Sequence, residues 1–294
     1  MKFAFNLLGA KGYHCLKAIL ESDFCKLNNL TVIIGTDKSV TDDFSKKIKV
    51  LCENKNINSY CRNEFQDYKD YDYVFAIGWR WLIKGVQDNK LIIFHDSILP
   101  KYRGFAPLVN AALNKEKKIG VTALFGAHEY DKGALIAQKS IKVVYPIRIG
   151  NLIEKIIPCY VDLVDEVLKK LVVGKEITAL NQIEGDASYS IWLDSEDYFL
   201  DWSCDSDYIA NKINLLGSPY EFAKSYMNNQ EVIICAAEVY KDLTLEHRHV
   251  GKVLIVEDGC PVIICGRGLI KITEMTSKSG NELIPFKSFR VRFK

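Results

Sequence analysis

The stretch Phe94-His95-Asp96-Ser97-Ile98-Leu99-Pro100-Lys101-Tyr102-Arg103-Gly104 concentrates residue types that do chemistry. The apolar run Leu91-Ile92-Ile93-Phe94 gives out at His95 into a loop whose path Pro100 and Gly104 constrain. A histidine at the end of a buried strand is placed to take or give a proton near neutral pH. Taken alone, a histidine satisfied within the core is the plainer alternative. Gly9-Ala10-Lys11-Gly12 follows a second apolar run. Its backbone N–H groups suit a phosphate at a helix N-terminus. It lacks the full G-x-G-x-x-G spacing, and a plain strand-to-helix turn explains it equally. Trp79-Arg80-Trp81-Leu82, after Ile77-Gly78, offers rings that stack on a heterocycle or simply pack. Lys101 and Arg103 suit a phosphorylated ligand or an ordinary solvated surface. His247 and His249 alternate around Arg248 and read as strand or loop surface, not as a metal pair.

These residues need a scaffold, and the hydropathy pattern supplies one. Phe3–Leu8, Leu30–Gly35, Tyr73–Gly78 and Leu91–His95 read as strands apolar on both faces. Helical spacing over Tyr13–Glu21 and near Phe44–Asn54 alternates with them. This predicts an α/β fold: a Rossmann-like, mostly parallel sheet with helices on both faces and sites at the carboxyl ends of its strands. Val121–Phe125 and Ala134–Ser140 read as further strands, Asn151–Val172 as a long amphipathic helix and Gly174–Gly185 as a linker. Beyond it, a helix over Asp205–Leu216 precedes short strands at Glu231–Val239, Lys252–Val256, Pro261–Cys265, Leu269–Met275 and Pro285–Phe293. That spacing predicts a small C-terminal β-barrel. The expected domains are 1–185 and 186–294.

Composition narrows the function classes. Apolar residues make up 48% and charged residues 26% of the 294 positions, as in a packed globular protein. No apolar run is long enough to span a membrane, and the start is too short for a signal peptide, so a cytoplasmic location is expected. None of the nine cysteines forms a C-x-x-C pair, which predicts free thiols and no metal. Residues 186–294 hold 12 Lys and Arg against 16 Asp and Glu, a balance of −4. Such a half is poorly suited to gripping a phosphate backbone, and no nucleic-acid partner is expected.

The segment from His95 to Gly104 resembles the HxSLLPxxRG signature of formyltransferases that use N10-formyltetrahydrofolate. That family includes methionyl-tRNA formyltransferase and the sugar N-formyltransferases. Ile119-Gly120-Val121-Thr122 is similar to its GVT strand start, and Asp131-Lys132-Gly133-Ala134-Leu135-Ile136 to its D-x-G-x-I-L segment. Ile191-Trp192 and Val250-Gly251-Lys252-Val253 resemble the small barrel after the catalytic domain. The resemblance implies a catalytic set of His95, Asp131 and Ser97, with His95 at the formyl carbonyl and Asp131 orienting it. It implies a folate site from Trp79, Arg80, Trp81, Leu82, Leu99 and Tyr102. With the loop readings above, Gly9, Lys11, Gly12, Lys101, Arg103 and Gly104 become the acceptor site. A homodimer stays open.

One position departs from the family. It carries Asn two residues before the histidine, where this chain has Ile93. Losing one oxyanion donor raises a barrier by about 2.7–4 kcal/mol. Ser97, a backbone N–H or a water are candidate substitutes, and another acyl donor such as acyl-CoA is an alternative. The expected reaction is formyl transfer to the amine of a nucleotide-linked amino sugar. Formylation of methionyl-tRNA and non-catalytic folate or nucleotide binding are the alternatives. The tRNA reading calls for a basic C-terminal half and linker, and Asp194, Glu196, Asp197, Asp201, Asp205 and Asp207 crowd one stretch there instead.

Overall fold

Runs that are apolar on both faces become the centre of one sheet. In the computed structural model, which describes residues 1–24, 29–173, 177–288 and 290–294, one unit comprises Met1–Ala111, Glu116–Val143 and Asn151–Trp192. It contains β1 (Lys2–Leu7), α1 (Gly9–Glu21), β2 (Asn29–Ile34), α2 (Ser45–Asn54), β3 (Asn58–Cys61), β4 (Tyr73–Ile77), β5 (Leu91–His95) and β6 (Arg103–Gly104). Most of α3 (Pro107–Leu113), β7 (Lys118–Phe125), β8 (Leu135–Lys142), most of α4 (Ile149–Val172) and β9 (Tyr189–Ser190) complete it. The main sheet runs β3-β2-β1-β4-β5-β7-β8. The first five strands are parallel, and β7 runs antiparallel to both its neighbours, β5 and β8. The order reverses between β1 and β4, so their carboxyl ends open the crevice where α/β sheets bind ligands.

One face carries Phe3, Phe5, Leu7, Phe75, Ile77 and Phe94, all buried. Helix α1 approaches so closely that a Cβ on Gly12 would lie 3.0 Å from the Leu7 Cβ. Helix α4 brings the Tyr160 ring within 6.3 Å of Phe94. The opposite face carries Ala4, Ile33, Val74 and Leu91, with Phe65, Tyr68, Tyr71, Trp79, Ile83, Val86 and Ile93 packed against them. Residues 62–72 and 78–87 contain no helix. Aromatic loop segments cover this face there, because Asp67, Asp70, Asp72, Gly78 and Gly85 interrupt any helical run.

Two other differences have local causes. The glycine stretch after β1 is the first turn of α1 rather than a turn before it, with Gly9 at φ +68° opening the helix. Strand β3 gave no signal because three of its four residues are exposed at the sheet edge, leaving no apolar alternation. The expected linker falls partly on residues 174–176, outside the described residues, as does Cys25.

The second unit comprises Ala112–Lys115, Val144–Gly150 and Leu193–Lys294. Its helix α5 (Ser206–Leu215) is capped by Asp205, whose carboxylate accepts from the Asp207 N–H at 2.9 Å. The Arg148 guanidinium donates to the carbonyls of Ile213 and Leu216, satisfying the carboxyl end. Strands β10 (Ala223–Met227), β11 (Gln230–Tyr240), β12 (Val253–Glu257), β13 (Cys260–Ile264) and β14 (Leu269–Ser277) form an antiparallel sheet in the order β10-β11-β14-β13-β12. Residues 285–293, expected as a strand, make only isolated bridges, and Phe289 lies outside the described residues. Lys294 exchanges hydrogen bonds with Tyr226 at the end of β10, while the Phe293 N–H donates to Gly251 and the Val253 N–H to Val291, beside β12. The segment thus links the two end strands of the sheet near one end of each. Phe293 is buried against Trp202, ring centroids 5.6 Å apart. Phe293→Ala is therefore expected to destabilise this unit by about 3–5 kcal/mol, read from urea unfolding followed by tryptophan fluorescence in a background where Trp79, Trp81 and Trp192 are replaced by Phe.

Candidate active site

His95 is the last residue of β5 and pairs across the sheet with Thr122 of β7. The loop after it is fixed from within. The Thr122 hydroxyl donates to the Ser97 carbonyl at 2.7 Å and accepts from the Leu99 N–H, while Gln138 donates to the Leu99 carbonyl. The Ser97 hydroxyl donates to the Lys101 carbonyl at 2.7 Å. Ser97 and Leu99 are buried and hold the loop's shape; neither polar group of Ser97 points to an open site.

The imidazole lies between two acceptors. Its Nε2 is 2.8 Å from the Tyr102 carbonyl, and its Nδ1 is 3.5 Å from Asp131 Oδ1. A carbonyl only accepts, so Nε2 carries a proton here. Nδ1 faces the carboxylate. Both side chains are largely enclosed, with 9% and 12% exposure. The second Asp131 oxygen accepts the Gly104 N–H at 2.8 Å. Gly104 itself sits at φ +99°, with the Ser190 carbonyl 2.5 Å from where a Cβ would stand, so only glycine fits. Tyr102, Ala106 and Asp131 also have positive φ. Such backbone persists only where its surroundings over-determine it, and it gathers at functional sites.

The expected cationic and glycine positions are occupied by the fold. Lys11 pairs with Asp96, which also accepts from the Tyr160 hydroxyl at 2.6 Å. The Gly9 N–H is taken by the Asp43 carbonyl, and Gly12 packs on Leu7. Arg103 has no exposure at all: it donates to Gln182 through Nε and Nη2 and to Glu184 through Nη1, and it lies under the Tyr189 ring. Lys101 is exposed. Arg80 pairs with Asp37, and Leu82 is exposed. Trp79 and Trp81 meet edge-on at 4.9 Å over Gly35. The Trp79 Nε1–H is the one buried side-chain polar atom without a partner among the described residues. Ile93 shares its sheet face with His95 and packs against the same cluster as Trp79. The amide of Asn6, in the same row across the sheet, donates to the Phe75 carbonyl and accepts from the Tyr68 hydroxyl.

The helix-flanked sheet, the histidine ending one of its interior strands with an aspartate beside it, and the C-terminal antiparallel sheet define a class. Residues 64–156 match the family described as formyl transferase, and residues 193–289 match the formyl transferase C-terminal domain. The chain belongs to the formyl transferase family. It is 30% identical to a methionyl-tRNA formyltransferase of Syntrophomonas wolfei over 66% of its own length, a match that spans only 61% of that relative. Its fold is similar to that of an N-formyltransferase from Helicobacter canadensis, solved with folinic acid and dTDP-3-aminofucose, with TM-score 0.68, 18% identity and coverage of 93% and 99% of the two chains. Methionyl-tRNA formyltransferase from Clostridium thermocellum aligns with TM-score 0.55 at 19% identity, over 82% of this chain and 94% of that one. No group of three or more metal-ligating side chains gathers among the described residues, and no described helix is long and apolar enough to cross a membrane.

Sequence reading missed Gln182 and Glu184, which lie in the expected linker; no local pattern marks them. Because Arg103 is committed to them, Arg103→Met is expected to strand the Gln182 oxygen and cost about 1–3 kcal/mol of stability. Thermal denaturation checks this. A variant with unchanged melting temperature and only a raised acceptor KM would contradict the structural role.

Proposed function

We propose that the chain transfers a formyl group from N10-formyltetrahydrofolate to the amine of a nucleotide-linked amino sugar. The observation that carries the chemistry is the His95–Asp131 pair, with one carboxylate oxygen fixed by Gly104 and the other facing Nδ1. In the reaction the amine nitrogen bonds to the formyl carbon and the bond from that carbon to folate N10 breaks. One proton leaves the amine and one reaches N10. His95 exchanges the proton at Nδ1 with Asp131 as its counter-charge, and the protonated ring stabilises the oxyanion. The unpartnered Trp79 N–H, in the loop assigned to folate, fits a ligand with acceptors on a flat ring. Together with Arg80, Trp81, Leu82 and Tyr102 it would line the donor site, and exposed Lys101 would face a phosphorylated acceptor.

The charge balance of −4 over residues 186–294 supports the sugar acceptor, since tRNA binding depends on Lys and Arg at phosphates. The dTDP-amino sugar named for the Helicobacter canadensis relative is of the same acceptor class. The name of the Syntrophomonas wolfei relative favours methionyl-tRNA as a second reading. Mass spectrometry separates the two: the formyl donor is offered with dTDP- and UDP-linked amino sugars and with methionyl-tRNA. Formylated tRNA, with sub-micromolar binding that falls steeply with salt, would replace the sugar reading.

His95→Asn and Asp131→Asn should each lower kcat by about 10²–10⁴-fold. The double variant should be little worse than the worse single one, because members of a unit are non-additive; kcat values that multiply would separate their roles. Ile93→Asn should cost about 1–3 kcal/mol of stability by placing an amide in the aromatic cluster. It should change formyl transfer less than about tenfold, since catalysis here already runs without that donor. Turnover with acyl-CoA and none with formyltetrahydrofolate would overturn the donor assignment.

A further inference from the structure

The segment after α4 is threaded along the loops of the candidate site. Leu180 and Leu135 exchange backbone hydrogen bonds at 2.8 and 2.9 Å. Two residues on, the Gln182 Nε2 donates to the carbonyls of Asp131 and Gly133 at 2.6 and 2.8 Å. Its Oε1 accepts from Arg103 Nε and Nη2 at 3.0 and 2.9 Å. A primary amide has two hydrogens and two lone pairs, and here all four are used. One side chain thus ties both ends of the turn around Lys132 to the buried arginine of the neighbouring loop. That turn needs an external hold: Asp131 is at φ +55°, and at Gly133 the Phe125 carbonyl leaves no room for a Cβ. The hairpin beneath does not depend on Gln182, because the Phe125 N–H donates to Ala134 and β7 pairs with β8 along its length.

We propose that Gln182 is a positioning residue: it holds the Asp131 turn in the conformation that keeps the carboxylate at His95, and Arg103 holds Gln182. The proposal rests on the reading of His95 and Asp131 as the catalytic pair. Its chemistry makes the amide, not merely the shape, the requirement. A glutamate at 182 keeps an acceptor for Arg103, with added charge, but loses both donors and turns a negative group toward two carbonyls. Stability and positioning therefore separate in one substitution.

The test compares the full chain with its Gln182→Glu, Gln182→Ala and Asp131→Asn variants. Formyl transfer from N10-formyltetrahydrofolate to dTDP-3-aminofucose is followed alongside thermal melting. For Gln182→Glu, kcat should fall about 10–100-fold, the loss expected when a catalytic group is displaced by about an ångström. Its melting temperature should fall less than that of Gln182→Ala, because the Arg103 contacts are kept, and both KM values should change less than about threefold. Gln182→Ala should lose both kcat and melting temperature. Wild-type kcat in Gln182→Glu, with Asp131→Asn inactive, overturns the proposal and leaves the catalytic reading intact. A Gln182→Glu loss explained wholly by less folded protein also overturns it. Full activity in Asp131→Asn, or no transfer by the wild-type chain to any amine, removes the catalytic reading and the proposal with it.

Discussion

The hydrogen bond from the Gly104 N–H to Asp131 Oδ2 joins the two loops on which the site depends. A carboxylate on a turn samples many orientations, and a backbone donor at 2.8 Å selects one of them. With that oxygen held, the other is left facing His95 Nδ1. The geometry then propagates outward. Gly104 must be glycine to pass the Ser190 carbonyl, and Ser190 belongs to β9, which pairs in parallel with β6. Residues 189–190 are thereby part of the framework around Gly104.

Placing charge inside that framework constrains what binds there. Arg103 is enclosed without exposure, and Lys11 is committed to Asp96 beside Tyr160. Removing one partner from an enclosed pair leaves the other uncompensated, so neither cation is released to a ligand without replacing its contacts. A phosphate at the β1–β4 crevice would have to compete with the Asp96 carboxylate for Lys11. Exposed Lys101 carries no such cost.

The opposite sheet face makes a different trade. Loops rich in tyrosine and tryptophan cover it, and Ile93 continues that apolar surface where the family carries an amide. The one unpartnered buried donor, Trp79 Nε1, lies in the same cluster. Buried polar groups without partners are rare in folded proteins, which sets this indole apart from the other side chains of the cluster.

Much of this was legible without coordinates. Continuous apolar runs marked β1, β2, β4 and β5, because a strand buried on both faces leaves that signature wherever it occurs. His95 at the end of such a run and the acidic balance of the C-terminal half are likewise properties of the chain alone. Edge strand β3 escaped because exposure erases periodicity, while the strand expected at Pro285–Phe293 forms only isolated bridges. Side-chain partnership escaped altogether. Lys11 meets Asp96 across 85 positions, Arg103 meets Gln182 across 79 and Gln182 meets Asp131 across 51. Local sequence reports which residues are buried and in what kind of element, since both follow from neighbours along the chain. Whether a given cation faces a ligand or the fold depends on which distant loop arrives beside it, and only the tertiary structure decides that.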